Sequence, residues 1–266
     1  MIIRDKFWLW GHPEGRYNNE FGNNGISRMT PMEACAYLGI RNTFMVPVGT
    51  DLNERQYNKS FKTLNNVGWG YCYYCGKYWG FESVIDTIIE NAREFPNNTC
   101  VAFDDFKLEG VYKDNLNEEL VKTIDYLHNN DVRYLNCWMT LYTKEFGEDE
   151  KADADFQKYI DLMDGIVMWN WKESEYKAIP EKFEKFKEIT SKVRRMCGCY
   201  LYNFGEHRQA SPEAVKWQLD YYRELLLAGE IEGVVLHTNT MADLDYPAYD
   251  VACAWMEEHG DEVVPD

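Results

Sequence analysis

The chain has 266 residues, of which 45% are hydrophobic and 15% aromatic, enough to fill one large α/β domain and too apolar for a disordered chain. Its 28 Lys and Arg stand against 45 Asp and Glu, and the net charge of −17 repels phosphate backbones and anionic lipid. Composition thus argues against nucleic-acid and membrane-surface partners, and no apolar segment approaches the roughly 20 residues that cross a bilayer.

The N-terminus, Met1-Ile2-Ile3-Arg4-Asp5, lacks the basic region, long apolar core and small-residue cleavage site of a secretory signal, so a cytoplasmic protein is expected. Eight cysteines are too sparse for a disulfide scaffold, and Cys100, Cys137, Cys197 and Cys199 fall inside strand-like runs where a small hydrophobe serves. Cys72-Tyr73-Tyr74-Cys75 has metal or redox spacing, but a zinc site needs a second pair and Cys197-Gly198-Cys199 is wrongly spaced for one.

Read for period, strand-like and helix-like segments alternate eight times. The first strand is expected over 6–10, followed by a polar loop over 11–24 and a helix over 27–38. Within that helix, Thr30-Pro31-Met32-Glu33 supplies a cap, a first-turn proline and a capping-box acid. A second strand over 43–48, a helix over 53–64 and an aromatic, glycine-broken strand over 68–74 come next.

Val84, Ile85, Ile88, Ile89 and Ala92 recur at helical spacing, and Pro96 stops that helix. The fourth strand is the short apolar run Thr99-Cys100-Val101-Ala102-Phe103, which ends in the adjacent carboxylates of Asp104 and Asp105. Helices are expected over 118–127, 155–163 and 180–193, alternating with strands over 133–141, 165–169 and 196–202.

Ser211-Pro212-Glu213 caps the longest helix; an eighth strand over 233–236 and a helix over 246–258 close the chain. Eight β-then-α units in this length have the rhythm of a single (β/α)8 TIM barrel of the α/β class spanning 1–266. A doubly wound sheet would want a glycine-rich turn after its first strand, and Gly11-His12-Pro13-Glu14-Gly15 is not that turn.

Barrel enzymes keep their chemistry at the strand C-termini. The polar side chains there are His12 and Glu14, Asp51, Asp104 and Asp105, then Thr140 and Tyr142. Asn170, Lys172, Glu173 and Glu175 follow the sixth strand, Asn203, Glu206 and His207 the seventh, and His237 and Asn239 the eighth.

Aromatic residues crowd the same positions: Trp8, Trp10, Trp69, Tyr73, Trp138, Tyr142, Trp169, Trp171, Tyr202 and Phe204. Flat apolar faces beside carboxylates and amides, with no phosphate loop and few cations, suit a neutral carbohydrate. Glycoside cleavage needs a proton for the leaving oxygen and a negative or nucleophilic group at the oxocarbenium-like centre, and Asp104, Asp105, Glu173 and Glu206 are the supply. Adjacent aspartates share a pocket only if the strand ends there and the backbone turns; mutual repulsion then raises one pKa.

Phe103-Asp104-Asp105-Phe106-Lys107-Leu108-Glu109-Gly110 resembles the strand-four motif of O-GlcNAcase and hyaluronidase-like β-N-acetylglucosaminidases, which are (β/α)8 barrels. The resemblance implies that Asp104 orients the substrate's 2-acetamido group, which attacks the anomeric carbon, and that Asp105 is the general acid and base. Cys137-Trp138-Met139-Thr140 is similar to a later strand of that family, and Met168-Trp169-Asn170-Trp171 to its segment with a sugar-binding asparagine. No cofactor is expected.

Within the glycosidase class a second assignment pairs an acid from Asp104 or Asp105 with a nucleophile at Glu206, while Asn203, His207 and Asn239 hold hydroxyls. A metal-dependent sugar isomerase, epimerase or lyase would instead converge Glu206, His207, His237, His12 and Asp105 on a divalent ion. A carbohydrate-binding barrel without catalysis would keep the tryptophans and lose the acids. Exposed apolar helix faces allow pairing into a homodimer.

Overall fold

A computed structural model describes residues 1–47, 52–72, 81–107 and 116–265, without the side chains of residues 71, 72, 81–84, 116, 117 and 119. Eight parallel strands close into a barrel: β1 (Phe7–Gly11), β2 (Asn42–Met45), β3 (Asn66–Cys72), β4 (Asn98–Asp104), β5 (Asn136–Tyr142), β6 (Gly165–Trp169), β7 (Arg194–Tyr200) and, after a small two-stranded ribbon, β10 (Gly233–His237). The ribbon strands, β8 (Tyr202–Asn203) and β9 (Arg208–Gln209), pair antiparallel.

The helices between strands are α1 (Pro31–Tyr37), α2 (Glu54–Ser60), α3 (Phe81–Glu94), α4 (Leu116–Asn129), α5 (Glu150–Ile160), α6 (Ile179–Ile189), α7 (Pro212–Leu227) and α8 (Pro247–His259). This is the expected (β/α)8 barrel, an α/β fold.

Strand alternation sorts the apolar residues into two separate cores. Outward-facing residues such as Leu9, Val101, Met139 and Leu236 pack beneath the helices, whereas Trp8, Trp10, Phe44, Trp138, Trp169 and Val235 fill the barrel. Three glycines make room for three of the large interior rings. A Cβ on Gly68 would lie 2.4 Å from Phe44, one on Gly165 2.3 Å from Trp138, and one on Gly198 2.1 Å from Trp169. Each glycine is in register with the aromatic residue it accommodates.

The N-terminal end is closed by polar side chains. Asn66 donates to Asn42 (2.9 Å), Arg194 donates to Asn136 (2.5 Å), and the Arg194 guanidinium covers the Trp138 ring at 5.0 Å. Trp138 therefore belongs to the barrel filling near that end, not to the rim at which its strand terminates. Trp69 faces outward, where its indole N–H donates to Asn98 (2.8 Å). Asp51, Tyr73 and the Cys72–Cys75 spacing lie outside the described residues or side chains.

Several elements begin or end where the local signals put them. Thr30 caps α1, and its capping-box partner Glu33 accepts from the Thr30 backbone N–H at 2.8 Å, so the helix starts at Pro31 instead of at 27. β7 ends at Tyr200, two residues short of the expected 202, because the chain leaves the barrel and enters the ribbon. Among the described residues no helix is long and apolar enough to cross a membrane.

Candidate active site

Asp104 is the last residue of β4, and Asp105 adopts a left-handed backbone conformation with φ of 48°. That turn brings both carboxyl groups to the next strand. The Asp105 N–H donates to Asp104 Oδ1 (3.0 Å) and to Thr140 Oγ1 (2.9 Å), and the Tyr142 hydroxyl donates to Asp105 Oδ1 (2.8 Å). Thr140 and Tyr142 alternate on the inward face of β5, in register with Val167 and Trp169 of β6, so the pair faces the C-terminal mouth.

Burial, then the neighbouring Asp105 charge, pushes the Asp104 pKa well up. Burial also raises Asp105, opposed by the Tyr142 hydroxyl and the Lys144 charge. Both carboxyls are thus raised, and the pair retains a proton more readily than a free carboxyl does. Asp104 accepts from the Asp105 N–H and the Thr140 hydroxyl, whereas Asp105 accepts from Tyr142 beside the Lys144 charge. Burial likewise holds the Tyr142 and Tyr200 phenols far above their ordinary range, so both stay protonated donors. Tyr200 donates to the Tyr142 oxygen at 3.5 Å, extending the chain of hydroxyls across the mouth.

Aromatic rings line the way from that pair to a second polar group. Trp171 meets Tyr142 edge-on at 5.7 Å and Tyr200 at 5.8 Å; Trp169 lies 4.8 Å from Tyr200 and 5.7 Å from Trp10. The Lys144 ammonium stands 5.4 Å from both the Tyr142 and the Trp171 ring. Tyr200 and Phe204 in turn pack on His237, at 4.9 and 4.8 Å.

His237 Nε2 lies 3.2 Å from His12 Nε2, His12 Nδ1 is 3.0 Å from the Val46 carbonyl, and the Tyr17 hydroxyl lies 3.3 Å from His12 Nε2. Burial pulls the His12 pKa down to about 3 and depresses His237 as well. Both rings are neutral at physiological pH. The His237–Thr238 peptide bond is cis.

Of the residues singled out from sequence, Asp104, Asp105, Tyr142, Trp10, Trp169, Trp171, His12 and His237 come together at this mouth. Thr140 and Phe204 join them, and several of the remaining residues have different employment. Asn170 accepts from Thr143 (3.2 Å) and donates to the Lys172 carbonyl (2.7 Å), bracing the loop after β6. Asn239 binds the His12 backbone through both ends of its amide, at 2.7 and 3.0 Å, and donates to the Met29 carbonyl.

Glu206 accepts from Asn203 (2.5 Å) and Arg208 (2.9 Å); the hydrogen bonds from Asn203 and Ser174 hold its carboxyl well below the usual range. Glu173 accepts from Arg208 (3.0 Å) and the Ser211 backbone (2.6 Å). His207 is exposed, with its ring edge-on to Phe21 at 5.5 Å.

Periodicity overlooked Tyr17, Lys144 and Tyr200. Tyr17 lies in an irregular loop with no period to read, whereas Tyr200 shares the parity of Tyr202 and was obtainable from the correct strand end. Tyr202 itself turns outward, donating to the Phe21 carbonyl at 2.9 Å.

The five residues of the metal reading do not form one donor set. Among the described residues, the one group of three ligand atoms within 4.8 Å is His128, Cys137 and Asp164, at the start of β5 and therefore at the opposite end of the barrel. There Asp164 accepts from the Cys137 N–H (2.7 Å) and pairs with His128 (2.9 Å), joining α4 to β5 and the turn before β6.

Fold and site together define a (β/α)8 barrel with a partly buried carboxyl pair at its C-terminal mouth. No protein-family model matches the sequence, and no curated protein matches it.

Solved structures share the fold. The catalytic domain of a hyperthermophilic chitinase from Pyrococcus furiosus aligns with a TM-score of 0.65 at 10% identity, covering 98% of both chains. The GH99 endo-alpha-mannosidase of Bacteroides thetaiotaomicron aligns at 0.59 and 9% identity, over 97% of this chain and 98% of that one. Tryptophan synthase from M. tuberculosis aligns at 0.51 and 9% identity, over 94% and 93%. At such identities the likeness is one of fold, and fold by itself does not select a chemistry.

Proposed function

We propose that the protein is a glycoside hydrolase acting on a neutral carbohydrate, with the Asp104–Asp105 pair as its acid–base group. The observation that carries this reading is the convergence of both carboxyl groups on Thr140 and Tyr142 at the barrel mouth, where burial and their mutual repulsion raise the pKa of the pair. A glycosidase needs such a donor beside an ionised partner at the same pH. Trp171 and Tyr200, both partly exposed, offer the flat apolar faces on which a sugar ring packs, and two of the three similar structures, the chitinase and the endo-alpha-mannosidase, bear glycosidase names.

The electrostatics favour Asp104 as the group that protonates the leaving oxygen and Asp105 as the carboxylate that faces developing positive charge. On an N-acetylhexosaminide the substrate's acetamido oxygen bonds to the anomeric carbon as the glycosidic C–O bond breaks and the proton leaves Asp104. Asp105 then steadies the cationic ring, and water reopens it while returning a proton to Asp104. This division reverses the roles implied by the motif resemblance.

Aryl glycosides with good and poor leaving groups test both points, with the N-acetylglucosaminide among them. Asp105→Asn and Asp104→Asn should each lower kcat/KM by roughly 10²–10⁴. The acid variant should recover most on an activated leaving group, and Asp104→Asn is expected to be that variant. Wild-type turnover in Asp105→Asn, or activity that tracks added metal, would sink the reading.

A further inference from the structure

We infer that His12 locks His237 into a single neutral tautomer whose bare Nδ1 is the acceptor for an O–H or N–H of the bound ligand, making His237 a specificity-determining residue. The inference takes the ligand's chemical class from the carbohydrate reading above. It begins at Val46, whose carbonyl can only accept, so the proton of neutral His12 is on Nδ1 and its Nε2 is a lone pair. His237 Nε2, 3.2 Å from that lone pair, must therefore be the N–H. The remaining nitrogen of His237, Nδ1, is bare.

Were Tyr17 the donor to His12 instead, two lone pairs would face each other at 3.2 Å and His237 would bury an unpaired N–H, a double penalty. With the tautomer set by His12, Nδ1 is a buried acceptor with no partner among the described residues, on a residue 5% exposed. Trp169, Tyr200 and Phe204 surround the ring, and none of the three donates to Nδ1. Buried acceptors are paired as a rule, and this one stands at the C-terminal end of β10, across Tyr200 from the Asp105–Tyr142 hydrogen bond. A neutral acceptor in an apolar wall selects a neutral donor, such as a sugar hydroxyl or an acetamido N–H, and disfavours anions.

Histidine-selective ¹⁵N NMR of the whole protein reads the tautomer without any variant. His237 should give a protonated Nε2 and an unprotonated Nδ1, and the opposite pattern overturns the inference. Titration with N-acetylglucosamine, mannose and galactose should move the His237 Nδ1 resonance with at least one of them; a resonance unmoved by all three overturns it too.

Two variants separate ligand recognition from bracing of His12, because an Asn amide reaches the Nδ1 position and a Gln amide the Nε2 position. His237→Gln should weaken binding of the responding sugar about tenfold, while His237→Asn stays within about threefold. The reverse order, or equal losses, assigns His237 a structural role only. Sugar binding at His237 without hydrolysis would leave this inference standing and remove the hydrolase, whereas hydrolysis with an unmoved Nδ1 would do the opposite.

Discussion

Tyr142 illustrates how one hydroxyl sets the working state of the site. Its hydrogen bond at 2.8 Å favours the ionised form of Asp105 against the burial that raises the pKa of that carboxyl. Removing the hydroxyl in Tyr142→Phe leaves burial less opposed, so the Asp105 pKa rises further. If turnover requires ionised Asp105, the acidic limb of the kcat/KM profile should move to higher pH, with the plateau above that limb changed less. A limb that stays in place would mean that Asp105 is not the ionised partner. Asp105 itself was legible from sequence because a strand-terminal Asp-Asp pair is a local signal. Its positive φ was not, since only the departure of the chain from β4 imposes it.

At the scale of elements, three of the large interior rings are each matched to a glycine on the adjacent strand. A Cβ at residue 198 would stand 2.1 Å from the Trp169 ring, which is itself held between Trp10 and Tyr200. Gly198→Ala should therefore cost about 1–3 kcal/mol through overpacking, read as a fall of several degrees in Tm. Because Trp169 also touches His237, the same variant should weaken sugar binding. An unchanged Tm would show that the Trp169 ring has room to shift.

The ribbon after β7 is held by longer-range pairing. A Cβ on Gly205 would meet the Trp171 carbonyl at 2.4 Å, so only glycine lets this turn lie against the loop after β6. There the ion pairs of Arg208 engage Glu206 and Glu173. From sequence both glutamates are free rim carboxylates. Their partner stands in a two-residue strand too short to leave any period.

For the molecule as a whole, buried titratable groups predict how stability follows pH. Burial raises Glu54 and Glu145 to about 7 and raises Asp104 and Asp105, so the folded chain holds protons that the unfolded chain has released above about 4.5. The two glutamates add stability as pH falls from about 7 towards 4.5, and the two raised aspartates act in the same direction. His12, lowered to about 3, and His237 act oppositely, since the unfolded chain takes up their protons below about 6.5 and stability is lost as pH falls. Neutralising part of the −17 charge acts in the same direction as the carboxyl groups. Tm should rise from pH 8 to a maximum near pH 5 and fall below it. Glu145→Gln should flatten the rise, and a Tm that falls steadily from pH 8 would contradict the assignment of neutral buried carboxyls.

What the sequence determined by itself is the set of local periods: eight β-then-α units, the capping box at Thr30, and a carboxyl pair at the end of a buried strand. Those signals lie within a few residues of one another, which is the range over which alternation and helical spacing operate. The tertiary structure alone decided which rim residues meet. Tyr142 of β5 reaches Asp105 after β4, Arg208 of the ribbon engages Glu206 and Glu173, and His12 after β1 meets His237 at the end of β10, 225 residues away. Barrel closure brings such residues together because the strand registers and the points where each strand ends set the neighbours, and neither quantity is written in the spacing of any single segment.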